Sequence, residues 1–451
     1  MQKLLLILLC LPMIGFGQGW IQTYGTPAVG VSVQQTNDGG FIIDGHTVNN
    51  GTNSVEIYLM KTDSIGNMQW DNTFGGIGNF EVGFGHSVRQ TNDGGYIISG
   101  QRSLQSGGLN FSDSSEVLLI KTDNLGIQQW QRFYGVGVVT NDLGSSVQQT
   151  TDGGYIIYAI KDAGEGGGYL WLIKTNSAGV LLWEKTYDML NFGIAGHPFA
   201  SFGEQTTDGG YILVGSGWGS GFTRPIKLIK TNSQGDTSWT QNISLPTNVG
   251  LGNHGISIRQ TNNGGYVIAG FNGTLDTTAI AQGFLTDGLL IKADNTGSLV
   301  WDKTIGHLGY DAHQTTDGGY IWMGRDQDTT EHIMLHKTDA NGNTIWTKTY
   351  TGSGNVYYNN FFIGNVEQTT DGGYITAGFH HDTINNANGV LLIKTDGNGN
   401  VTSTFNITRP SSDRKLEKIV DILGRETKGK KNKPLFYIFD DGTVEKRIII
   451  E

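Results

Sequence analysis

The chain has 451 residues, a formal net charge of −11, 69 glycines and one cysteine, Cys10. That length admits a large core. The acidic balance argues against nucleic-acid binding, which depends on basic patches, and one cysteine near the start excludes internal disulfides and Cys-based metal sites.

Residues 1–17 read as a secretory signal peptide. Lys3 gives the charged start, Leu4 to Met13 the apolar run, and Gly15, Phe16 and Gly17 a small-x-small cleavage site before Gln18. The apolar run is too short to span a bilayer, and no other segment is long and apolar enough for a transmembrane helix. Leu9, not a small residue, precedes Cys10, which argues against a lipid anchor there.

From 18 to 408 one stretch recurs, in its fullest form SVRQTNDGGYIISG from Ser87 to Gly100. The first Gly of its Asp/Asn-Gly-Gly signal falls at Gly39, Gly94, Gly153, Gly209, Gly264, Gly318 and Gly372, at intervals of 55, 59, 56, 55, 54 and 54 residues. A fixed period of this size marks a repeat architecture. Each unit reads as two hairpins. In the second unit the first runs from Ser87 through Asn92-Asp93-Gly94-Gly95 into Tyr96, because Asp-Gly supplies the positive φ that a tight turn requires. The second runs from Val117 through the Asp123-to-Gly126 turn to a strand bearing Trp130. Four strands per unit and seven units predict an all-β, seven-bladed β-propeller of four-stranded antiparallel blades. A β-solenoid is the alternative, although its repeats are usually shorter.

The second hairpin places a Trp at Trp70, Trp130, Trp183, Trp239, Trp301 and Trp346, with Phe405 in the seventh unit. An orphan copy, Trp20 to Gly25, stands near the front. Residues 20–25 are therefore expected to complete the last blade and close the ring, covering strand edges that would otherwise invite aggregation.

Two sets of residues recur beside the first turn. Gln35, Gln90, Gln149, Gln205, Gln260, Gln314 and Gln368 occupy one position in all seven units, and are expected to satisfy backbone groups between blades. The residue before each varies: Gln34, Arg89, Gln148, Glu204, Arg259, His313 and Glu367. Side chains alternate along a strand. If the first strand is innermost, this second set lines the central channel, with Ser32, Ser87, Ser146, Phe202, Ser257, Asp311 and Asn365 two residues earlier. Arg89, Glu204, Arg259, His313 and Glu367 are thus candidate ligand contacts, against the plainer reading of a solvated channel wall. Glu204 and Glu367 could form a general acid/base pair only at a separation of roughly 5–9.5 Å.

The connections between hairpins vary in length and content, and variable loops on a rigid scaffold commonly carry binding. Trp218, Tyr357 and Tyr358 stand there, outside the repeat pattern, as candidates for a carbohydrate- or protein-binding surface. The plainer reading has them plug the loops onto the ring. His86, His197, His254 and His307 cluster near strand entries without ligand spacing. The Asp339-to-Asn343 and Asp396-to-Asn400 turns lack the length and terminal Glu of an EF-hand. No cofactor, metal or catalytic motif is read: there is no Gly-x-Ser-x-Gly elbow, Walker loop or His-Glu-x-x-His.

From Arg409 the pattern stops. Residues 409–451 carry 11 Lys/Arg and 8 Asp/Glu and read as a linker followed by three short strands. Val420 to Glu426 (VDILGRE) and Asp440 to Glu451 (DDGTVEKRIIIE) resemble the C-terminal sorting signal of type IX secretion cargo in Bacteroidetes. The Tyr-Pro-Asn-Pro-like start of fuller sorting domains is absent. The repeats also resemble those of uncharacterised secreted propeller proteins from the same bacteria. The resemblance implies export through the periplasm to the outer surface or beyond, with the type IX machinery as partner. The expected role is a binding or adhesion propeller for a polysaccharide or surface protein. The competing role is an extracellular glycan hydrolase or lyase working at the channel mouth.

Overall fold

A computed structural model describes residues 19–25, 28–49, 54–75, 81–104, 115–135, 142–164, 167–189, 203–216, 225–245, 252–273, 287–306, 308–325, 332–350, 364–382, 387–401, 403–407, 415–420, 425–427, 434–439 and 444–448. The segment read as a signal peptide lies outside them. The described residues are all-β, and no helix among them is long and apolar enough to cross a membrane.

Seven antiparallel sheets of four strands form the blades of a β-propeller. The fourth blade shows the grammar: Gly203–Gln205, Tyr211–Ser216, Ile226–Thr231 and Thr237–Ile243, each paired with the next. The first two blades are joined by a single parallel bridge between Val55 and Val82. The first strand of every blade touches the first strands of both neighbours, and Val366–Gln368 of the seventh touches Ala28–Gln35 of the first. The first strands are therefore innermost and the circle is closed.

The two glycines of the repeated turn have different jobs. Gly94 has φ +83°, where a side chain would be strained. A Cβ on Gly95 would lie 2.2 Å from the Thr122 carbonyl oxygen and 2.6 Å from Lys121 Nζ. The second hairpin packs so tightly against the first that only glycine fits.

The core lies between blades. Ile42, Ile57, Leu59 and Phe74 of the first meet Val88, Tyr96, Ile98, Leu118 and Ile120 of the second. Around the rim each repeated Trp sets its ring against the Tyr that opens the next blade's second strand: Trp70 on Tyr96, Trp130 on Tyr155, Trp183 on Tyr211, Trp239 on Tyr266, Trp301 on Tyr320 and Trp346 on Tyr374, with centroids 5.5–5.9 Å apart. Such tilted pairs add roughly 0.5–1.5 kcal/mol each to the area they bury.

The seam follows the expected plan with one correction. Trp20–Tyr24 is the fourth strand of the seventh blade, next to Ala387–Thr395, and Trp20 lies 5.9 Å from Phe41 of the first blade in the same edge-on contact. Ser403–Ile407, which holds Phe405, is a fifth strand outside it rather than a weakened fourth. The orphan front copy keeps the Trp of the repeat, so it alone can make the rim contact.

A second compact unit comprises 24–26 and 406–451. Within it Leu416–Val420, Pro434–Phe439 and Val444–Ile448 pair in order as an antiparallel sheet.

Candidate functional site

The innermost strands have one edge turned to the channel, so their backbone groups need partners from outside their own sheet. The repeated Gln supplies them. Its Oε1 accepts the turn N–H of the preceding blade in all seven cases: Gln90 from Asn37, Gln149 from Asn92, Gln205 from Thr151, Gln260 from Thr207, Gln314 from Asn262, Gln368 from Thr316 and, across the seam, Gln35 from Thr370, at 2.8–3.2 Å. These amides bind backbone between blades, as expected.

The position before that Gln divides into two kinds. Gln34 and Gln148 accept the backbone N–H of Gln90 and Gln205 in the following blades, at 2.6 and 2.9 Å. The Glu204 carboxylate does the same for the Gln260 N–H. These three hold blade to blade. Arg89, Arg259, His313 and Glu367 make no such bond; Arg89 and Glu367 meet each other, and Arg259 and His313 meet Asp311. Arg89 Nη1 lies 3.3 Å from Glu367 Oε1, joining the second blade to the seventh past Gln34 of the first. Asp311 is the pivot of the other half: its Oδ2 is 2.9 Å from His313 Nε2 and its Oδ1 is 3.9 Å from Arg259 Nη2.

Asp311 sits two residues before His313, with its side chain 1% exposed. In the same position Ser32, Ser87 and Asn365 accept the N–H of Val88, Val147 and Val33 across blade boundaries, and Asp311 accepts that of Val366. Asp311 therefore inherits a structural duty and adds a charge to it. Burial opposes that charge, but His313 and Arg259 hold its carboxyl well below the usual carboxylate range. Glu204 goes the other way, pushed up by burial against the pull of Arg259. Burial draws the Arg89 guanidinium down, with Glu367 opposing. Arg259 is raised because the fields of Asp311, Glu204 and Glu367 outweigh its own burial. Two cations and three carboxylates from five blades thus act on one another in one narrow space.

Arg259 keeps Nε and Nη2 buried without a hydrogen-bond acceptor, while its Nη1 donates to the Gly203 carbonyl. The side chains of Arg89, Glu367 and His313 are the more accessible, at 16, 17 and 24%. The cluster lies one residue from the short Gly-Gly turns. The sequence names these channel positions as candidate ligand contacts, beside the aromatic residues of the long connections. Trp218, Tyr357 and Tyr358 of those connections lie outside the described residues, as do His197 and His307. His254 is buried and stacks on Phe271. Among the described residues no group of three or more His, Cys, Asp or Glu could hold a metal ion.

One repeated element escaped the sequence reading. A buried Lys before each second turn reaches the Asp of the first: Lys61 to Asp38, Lys121 to Asp93, Lys174 to Asp152, Lys230 to Asp208, Lys337 to Asp317 and Lys394 to Asp371, at 2.8–2.9 Å. The signal was present, since Lys stands in the same place in all seven repeats. It was hidden because the two partners lie 20–23 residues apart in five of these blades and 28 in the second.

No protein-family model and no curated protein matches the chain. Solved structures similar to it include a protein of unknown function from Dyadobacter fermentans, with 11% identity over 69% of this chain and 94% of that one and a TM-score of 0.48. An α-L-arabinofuranosidase from Fusarium graminearum in complex with an iminosugar inhibitor shows 9% identity over 69% and 92%, at 0.44. A Trypanosoma rangeli sialidase shows 10% over 81% of this chain and 54% of that one, at 0.42. At TM-scores under 0.5 these likenesses decide nothing about this chain's chemistry.

Proposed function

We propose that the chain is a secreted or surface-displayed binding propeller that takes a polar ligand, a polysaccharide or a surface protein, against the charged group in its channel wall. The supporting observation is that Arg89, Arg259, His313 and Glu367 stand where the fold needs only an amide, as Gln34 and Gln148 demonstrate. Unlike charges at equivalent positions serve no repeated packing purpose, and recognition is the function that would retain them. In this reading Trp218, Tyr357 and Tyr358 add stacking surface from the variable connections. The likeness of the tail to type IX sorting signals supports export, with the signal peptide serving the first membrane.

A glycan array probed with the full chain tests the reading. Binding without turnover, lost in Arg89→Ala and weakened in Trp218→Ala, is expected. Unchanged binding in Arg89→Ala would overturn the channel assignment.

A second reading, a glycan hydrolase, has one observation in its favour. Glu204 is raised by burial while Glu367 lies against Arg89. Carboxyls in unlike surroundings are what acid and base roles require. New reducing ends, lost in both Glu204→Gln and Glu367→Gln, would select it over simple binding.

A further inference from the structure

The seven blades serve as internal controls for one another, and the fifth breaks the buried lysine pair. Its turn carries Asn263 where six others carry Asp. Asn263 Oδ1 still accepts the Thr261 hydroxyl at 2.7 Å and the Gly265 N–H at 3.3 Å, so the turn keeps its shape. Lys292 stays in place, 5% exposed, and among the described residues its Nζ bonds to Thr261 Oγ1 at 3.1 Å and to the carbonyl oxygen of Ala293 at 2.8 Å, with no carboxylate. In the other six blades Nζ has a carboxylate within 2.9 Å. The outer strand offers no polar substitute: Lys61 and Lys121 also reach Gln69 and Gln129, where the fifth blade has Val300, as the third has Leu182 and the sixth Ile345. The carboxylate partner has gone, and the Thr261 hydroxyl, which is uncharged, has come in its place.

We infer that Lys292 is the chain's nucleophilic amine, a site for reversible condensation with an aldehyde or ketone. An amine stripped of its counter-ion and held in a poorly solvated niche is the usual way a lysine becomes a Schiff-base former. The Nζ lone pair adds to the carbonyl carbon, and the carbonyl oxygen takes up a proton. The carbinolamine then loses that oxygen as water, leaving a C=N bond. Atoms and charge balance without any oxidant or metal. The turn places the amine just beneath the surface, since Asn263 above it is exposed. Burial draws the Lys292 ammonium down to about 8, with Asp294 the one charged group that opposes it. At pH 8 about half of its molecules carry the free amine, against roughly one in three hundred for a lysine at its ordinary value. The inference is independent of the channel reading, because the niche lies in the turns of one blade.

The test is competitive labelling of the full chain with glyceraldehyde and cyanoborohydride at pH 8, followed by peptide mass spectrometry. Lys292 is expected to gain the adduct at least about tenfold faster than Lys61, Lys121, Lys174, Lys230, Lys337 and Lys394. Asn263→Asp should bring it down to their level. Asp317→Asn should raise Lys337 in the sixth blade, with circular dichroism confirming that each variant is folded. Equal labelling of all seven lysines overturns the inference. So does a Lys292 rate that Asn263→Asp leaves unchanged.

Discussion

Two adjacent positions on the same strand have opposite histories. The repeated Gln is uniform in all seven blades, and every copy makes the same bond to the preceding blade's turn. The residue before it is an amide in two blades and a charged or titratable group in five. The first position is constrained by a task that each blade repeats. The second is constrained by it only where Gln34, Gln148 and Glu204 reach the next blade. Elsewhere it is free to differ, and there Arg89, Arg259, His313 and Glu367 stand, with Glu204 alone both charged and holding the next blade.

The comparison can be broken most forcefully at its seam. Trp20→Ala removes the one rim contact supplied by the front of the chain and should cost ~3–5 kcal/mol, read by chemical denaturation. A loss below about 1 kcal/mol would mean that the seventh blade does not rely on that strand. The next effect in size is a departure from uniformity inside the sixth blade. His336 occupies a third-strand position held by Ile in most other blades, and burial draws it down to about 4. An unfolded imidazole titrates near 6.5. As the pH falls below that value the unfolded chain binds a proton that the folded chain refuses, so stability falls. The loss should be on the order of 2 kcal/mol by pH 5, and urea denaturation of His336→Ile should show a flatter profile. Smaller still, Gln205→Ala leaves the exposed Thr151 N–H to water and should cost ~0.5–1.5 kcal/mol, with a like cost at Gln90 or Gln368. The smallest change belongs to the varied position. Arg89→Gln combined with Glu367→Gln removes both charges together and should shift stability by under about 1 kcal/mol. The same pair should abolish ligand binding; a large loss of stability instead would make the cluster mechanical.

The architecture was legible because a turn signal recurs at nearly constant spacing and each copy is followed by a strand. The seam was legible because Trp20 repeats a residue that the end of the chain lacks. The fifth strand at Ser403–Ile407 was not, since Phe405 satisfies the same apolar pattern as a fourth strand. The channel position was legible from alternation alone. That Arg89 would cross to Glu367, or that Asp311 would gather His313 and Arg259, depends on distances between blades hundreds of residues apart. The lysine–aspartate pairs could have been found: charges repeated in register across seven copies imply a shared partner.

The seam carries a consequence for how the molecule is made. Trp20–Tyr24 is made before its partner strand Ala387–Thr395, and nearly the whole ring lies between them in the chain. The Trp20 strand must therefore wait for its partner through the making of six sectors. Products that stop before Ala387 remain open at that gap, and the circle can lock only once both strands are present.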